Sequence, residues 1–105
     1  MSDISASEFV EKRSFFSDHI LIDVRDRNEY LEWHLHGSIN IPLKELTDTT
    51  PSLNSEVKYL LVCKSGFKSN VARSILEASG FNVSVIVGGI ASIKPLTENI
   101  KRKEF

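Results

Sequence analysis

The chain holds one cysteine, Cys63, followed by Lys64-Ser65-Gly66-Phe67-Lys68-Ser69. Ahead of it, Lys58-Tyr59-Leu60-Leu61-Val62 is a continuous apolar run, the pattern of a strand buried on both faces. In open parallel sheets ligands bind beyond the carboxyl ends of the strands, so Cys63 stands where chemistry is expected. A short turn entering a helix can aim its backbone N–H groups at one point and form an anion-binding nest. Gly66 permits a positive φ or a close backbone approach. The following helix N-terminus contributes about half a positive charge, and Lys64 and Lys68 contribute two full ones. A free thiol has a pKa of about 8.5, which falls to roughly 3.5–7.5 in such surroundings. The segment therefore predicts a thiolate nucleophile, and the same cradle suits a persulfide anion on Cys63 after sulfur transfer. The plain alternative is a buried cysteine packing as a small hydrophobe. Packing alone does not call for a glycine-containing loop with two lysines.

Other polar residues are weighed against this centre. Asp23 and Arg25 close an earlier strand and lie near Cys63 by topology. They are supporting residues, whose charges position the loop or form a structural ion pair that is costly to break on one side; the ion pair is the favoured reading. His34 invites the role of general base to Cys63, but a histidine at a helix end more commonly bonds to backbone. His36 is expected to be exposed. With no second cysteine and no carboxylate at ligand spacing, no metal site is expected. Phe67 is exposed if the nest forms, as a partner contact, an apolar gate or simple packing.

Apolar runs alternate with helix-like stretches, which predicts an α/β domain with a parallel sheet. Ile4 is a short edge-strand candidate. Ser5 to Glu8 reads as a capping box, opening a helix that buries Phe9, Val10 and Phe16. His19 to Val24 is the first strong strand. Asp26 to Glu29 is a second capping box, opening a helix with Tyr30, Leu31 and His34 at helical spacing and stopped at Gly37. Ser38 to Pro42 is a short strand, Leu43 to Leu46 a helical turn, and Thr47 to Ser55 a polar loop. Ser69 to Ser79 is a helix with Val71, Ala72, Ile75, Leu76 and Ala78 inward and Gly80 as its stop. Val83 to Val87 is a further strand. Gly88-Gly89 is a tight turn, and the remainder ends in an amphipathic helix after Pro95.

With 105 residues the length prior is one domain, 1–105. Apolar residues make up 41%, charged residues 26%, and the net charge is -1. That balance argues against a nucleic-acid surface, which needs a basic excess. The one basic cluster, Lys101-Arg102-Lys103, reads as a solvated helix end. A lone cysteine cannot form an internal disulfide, so the fold does not depend on an oxidising compartment. No apolar run approaches the ~20 residues of a membrane span, and Met1 to Ser5 lacks the pattern of a signal peptide. A cytoplasmic protein with no membrane contact is expected.

These segments together resemble the rhodanese family of sulfurtransferases over nearly the whole chain. Leu21-Ile22-Asp23-Val24-Arg25 with Glu29-Tyr30 is similar to the family's Asp-x-Arg and Glu-Tyr/Phe motif. His34 to Pro42 is similar to its His-Ile-x-Gly-Ala-x-Asn-Ile-Pro stretch. Cys63 to Ser69 is similar to its active loop Cys-x-x-Gly-x-Arg-Ser, and Gly88-Gly89 to its paired glycines. Lys68 replaces the commoner arginine and loses its bidentate fork. Trp33 stands where glycine is frequent, and Ile93 where tryptophan is usual. The resemblance implies an open five-stranded parallel sheet flanked by helices on both faces. It implies ping-pong chemistry, with Cys63 catalytic and Lys64, Ser65, Gly66, Phe67, Lys68 and Ser69 binding the substrate. A small-molecule sulfur donor such as thiosulfate gives its outer sulfur to Cys63, and cyanide, a thiol or a sulfur-carrier protein accepts it. No cofactor is called for. The alternative is a regulatory or persulfide-relay module, though non-catalytic members usually lack the cysteine. A cysteine phosphatase or arsenate reductase is less favoured, because the related phosphatase loop is one residue longer and ends in arginine, which grips phosphate with two parallel bonds.

Overall fold

In the computed structural model residues 3–97 are described, and they form one parallel sheet with helices on both faces. Helix α1 (Ala6–Glu11) leads through a 3-10 turn (Arg13–Phe16) into strand β1 (Ile20–Asp23). Then come α2 (Arg27–Glu32), β2 (Ile39–Asn40), α3 (Leu43–Thr49), a 3-10 turn (Thr50–Ser52) and β3 (Lys58–Val62). The chain continues as α4 (Phe67–Ala78), β4 (Asn82–Val85) and α5 (Gly89–Thr97). The strand order is β2-β1-β3-β4. The register sets Asp23 opposite both Asn40 and Val62, so β1, β2 and β3 end at one level.

Side chains alternate across the sheet as the period of two requires. From β1 and β3, Ile22, Tyr59 and Leu61 enter one core, with Leu46 of α3 and Ala72 and Leu76 of α4. Leu21, Leu60 and Val62 enter the other, with Phe9 of α1 and Ile90 and Ile93 of α5. Both central strands are buried on both faces, which is why they read as unbroken apolar runs. Full burial of one such aliphatic side chain stabilises the fold by about 1.5–3 kcal/mol.

The fold differs from the sequence expectation at several points. Four strands form the sheet rather than five. At the fifth position Ile4 makes an isolated parallel bridge to Ile86, with Ile4 N donating to Val85 O and Val87 N to Ile4 O. Ser5 already caps α1, its Oγ accepting from Glu8 N at 3.0 Å, so the pairing does not run on past Ile4. Strand β4 stops at Val85, and Val87 is exposed.

The expected loop at Thr47–Ser55 is largely helical, because Leu46 packs in the core and draws the segment into α3. Thr49 and Thr50 donate to the carbonyls of Glu45 and Leu46, four residues back. Helix α4 starts at Phe67 rather than Ser69, and Val71 and Ala78 lie on its exposed side while Ala72 and Leu76 face inward. Helix α2 ends at Glu32, ahead of Gly37, and Leu31 is exposed. Asp26 occupies the N-cap position of α2 but makes no capping bond. Pro95 lies inside α5 rather than before it, where its missing N–H removes one backbone bond from the helix. Ile93 fills a wholly buried site in the α1/α5 core. Met1, Ser2 and the Lys101-Arg102-Lys103 cluster lie outside the described residues.

Candidate active site

Cys63 follows the last residue of β3 and is 2% exposed. Its sulfur accepts two backbone hydrogen bonds, from Gly66 N at 2.9 Å and from Ser69 N at 3.3 Å. The loop curls because Gly66 takes φ 107°, a left-handed conformation that suits glycine, and α4 starts at the next residue. The nest read from the sequence is thus present, with Sγ at its focus. Such an array of N–H donors stabilises negative charge on whatever atom occupies the focus. The Ser69 side chain is wholly buried, and its Oγ has no hydrogen-bond partner among the described residues.

A second element holds this loop from behind. Ile90 N donates to Cys63 O at 2.8 Å, and Ala91 N donates to Lys64 O at 2.9 Å. The first turn of α5 uses its free N–H groups on the loop carbonyls, leaving the loop's own N–H groups to face the sulfur. The two chains approach so closely that a Cβ on Gly89 would lie 2.2 Å from Cys63 O and 2.8 Å from Lys64 O. Gly89 also has φ 60°. The paired glycines are more than a turn: Gly89 is where α5 meets the loop.

Asp23 and Arg25 form the structural pair. Asp23 is wholly buried, and its carboxylate accepts from Arg25 Nε at 3.0 Å, Arg25 Nη2 at 2.8 Å and the Arg25 backbone N–H at 3.0 Å. Arg25 Nη2 also donates to Trp33 O at 2.6 Å. Asn40 Nδ2 ties the same turn down, donating to Asp23 O and Arg25 O at 3.0 Å each. The pair pins the β1–α2 turn beside the Cys63 loop.

A cavity of about 260 Å³ opens over the sulfur, lined by Arg25, Glu29, Cys63, Lys64, Ser65, Phe67 and Lys68. Phe67 is 77% exposed at its rim. Lys68 Nζ lies 3.8 Å from the Asp26 carboxylate, which explains why Asp26 does not cap its own helix. His34 is not part of the lining. Its Nδ1 is 2.8 Å from Tyr30 O, and its ring stacks on Tyr30 with centroids 3.9 Å apart. It bonds to backbone, as the favoured reading had it. His36 is exposed. Among the described residues no group of three His, Cys, Asp or Glu side chains is placed to hold a metal ion, and no helix is long and apolar enough to cross a membrane.

Of the residues singled out from sequence, Cys63, Lys64, Ser65, Phe67, Lys68 and Arg25 line the cavity, Gly66 and Ser69 supply the two N–H donors, and Asp23 holds Arg25. Sequence reasoning missed Glu29 and Asp26 as neighbours of the site, having assigned both to a helix cap, and it missed how Gly89 works. The signal available for Glu29 was its place in the first turn of a helix that follows a strand end.

The family model "Rhodanese-like domain" matches residues 5–95. The thiosulfate sulfurtransferase PspE of Escherichia coli K12 is 36% identical over 83 residues, covering 75% of this chain and 77% of that protein. The adenylyltransferase and sulfurtransferase UBA4 of Vanderwaltozyma polyspora is 33% identical over 86 residues. This chain is covered to 72% there but spans only 19% of that protein's length. The crystal structure of a rhodanese-related protein from Thermoplasma volcanium superposes with a TM-score of 0.81 at 29% identity, covering 91% of this chain and 93% of that one. The chain belongs to the rhodanese-like domain family, several of whose members are named sulfurtransferases.

Proposed function

We propose that the protein, working as one domain over residues 1–105, transfers sulfane sulfur through a persulfide on Cys63. The observation that carries this is the sulfur of a buried cysteine at the focus of two backbone N–H groups, on the floor of an open cavity. In the first half-reaction the Cys63 thiolate attacks the outer sulfur of a donor R–S–S or of thiosulfate. The donor's S–S bond breaks, and its electron pair leaves with the thiolate or sulfite. Cys63 then carries one added sulfur, attached to the Sγ that the Gly66 and Ser69 N–H groups hold. In the second half-reaction a thiolate or cyanide attacks that outer sulfur and the Cys63 thiolate is restored. No metal, cofactor or external redox partner enters the balance.

Lys64, exposed at the mouth, draws an anionic group of the donor toward the cavity, and Phe67 at the rim gives its organic part, or a sulfur-carrier protein, an apolar contact. PspE, named for thiosulfate, supports thiosulfate as a donor that the site can use. The loop favours sulfur over phosphorus, because no arginine is present in it to grip a tetrahedral phosphate with two parallel bonds. Mass spectrometry after incubation with thiosulfate should show a gain of one sulfur, absent in Cys63→Ala, and cyanide should remove it as thiocyanate. No gain with any sulfane donor would overturn the reading.

A further inference from the structure

The charges around the cavity are balanced rather than cationic. Arg25 is neutralised by its buried bond to Asp23, and Lys68 is faced by Asp26 at 3.8 Å. Two lining charges remain without an ion pair among the described residues: the Lys64 ammonium and the half-buried Glu29 carboxylate. Lys64 is exposed at the mouth, on the loop that begins at Cys63, while Glu29 projects from the first turn of α2. One cation and one anion across a small cavity match a donor that carries both charges. They match a dianion poorly, because a carboxylate in the wall repels it.

The rim of the cavity points the same way. The apolar Phe67 at the rim has no role toward a sulfonate, but it can cover a short methylene chain.

We propose that the preferred sulfur donor is an amino-acid-type persulfide, its ammonium received by Glu29 and its carboxylate by Lys64. This rests on the sulfurtransferase reading above. In the transfer step the Cys63 thiolate attacks the outer sulfur of R–S–SH and the S–S bond breaks. The pair leaves on R–S⁻, which takes up a proton, and Cys63 becomes the persulfide. No oxidant or reductant is consumed. Glu29 and Lys64 bind and orient the donor, and neither moves a proton in this step.

The test is single-turnover loading of Cys63, followed as the gain of one sulfur by mass spectrometry. Three donors are compared: cysteine persulfide, the persulfide of 3-mercaptopropionate (which lacks the amine) and thiosulfate. Wild type should load from cysteine persulfide at an apparent KM about fivefold below that for the des-amino persulfide, the size of one solvent-screened charge contact. Glu29→Gln should erase that preference and lower the KM for thiosulfate, the dianion that the carboxylate repels. Equal KM values for the two persulfides in wild type would overturn the assignment, and so would a Glu29→Gln loss shared by all three donors. If the variant does not fold, the wild-type comparison of the two persulfides decides alone. Loading by thiosulfate with no amine preference sinks only the donor assignment. Failure of every donor to load Cys63 sinks the sulfurtransferase reading with it.

Discussion

The two ends of the sheet differ in what they do with charge and space. At the carboxyl ends of the strands a cavity of about 260 Å³ sits over Cys63, an ion pair is buried beneath it, and α5 meets the loop so closely that only glycine fits. At the opposite end a larger cavity, about 370 Å³, is lined by Glu8, Phe15, His19, Lys58, Asn82 and Ser84 among others. Its lining contains no cysteine, and the Asp18–His19 pair beside it has an aspartate that is largely exposed. Volume alone would choose the end without the cysteine. What separates the two is pre-organisation: at one end buried bonds fix the backbone, and at the other the same residue types meet in solvent.

That contrast is tested most strongly at the ion pairs. Asp23→Asn keeps the shape but leaves Arg25 buried without its counter-charge. It should cost about 3–5 kcal/mol of stability, read from urea unfolding. Asp18→Asn at the other end, where the aspartate is exposed, should lower the urea midpoint at neutral pH only slightly. Comparable losses from the two variants would refute the distinction between a fixed end and a solvated one.

The glycines give the next largest effect, this time on activity. A Cβ at Gly89 must displace the carbonyls of Cys63 and Lys64. A misplacement of about 1 Å at a reacting group can cost on the order of 10²-fold in rate, so Gly89→Ala should slow loading of Cys63 by about that much. Gly80, at the far end of α4, has φ 86° but open space around its Cβ position. Gly80→Ala should therefore lower stability by about 1 kcal/mol through backbone strain and leave sulfur loading unchanged. Equal effects on loading would mean that α5 does not position the loop.

The same contrast explains what the sequence could show. Strands β1 and β3 were legible because burial on both faces leaves an unbroken apolar run, and the nest was legible because a cysteine, a glycine and a helix start lie within seven consecutive residues. Local features carry their signal in adjacent positions. The parts that were missed depend on distant partners. Nothing near Asp26 in sequence says that its carboxylate will face Lys68 rather than cap α2. Gly89 looks like any turn glycine until α5 is docked on the Cys63 loop. Thr49 and Thr50 read as loop residues because their hydroxyls suit turns equally well, and only the packing of Leu46 selects the helix in which they bond backward. Val71 was assigned inward by periodicity, yet α4 buries a narrower stripe than its apolar content suggests.

The smallest effect concerns pH and the solvated end. The hydrogen bond from His19 holds the Asp18 carboxyl below its usual value of 3.8. A carboxyl whose folded pKa is depressed contributes stability above its unfolded pKa and loses it as pH falls through the folded one. Wild type should therefore lose this contribution below about pH 4, whereas Asp18→Asn should not, the difference appearing in thermal unfolding scanned between about pH 5 and pH 2. Because the aspartate is exposed, salt should shrink the difference. The Asp23–Arg25 bond, whose carboxylate is wholly buried, should show much less salt dependence. A salt-insensitive Asp18 effect would mean that the two ends are organised alike after all.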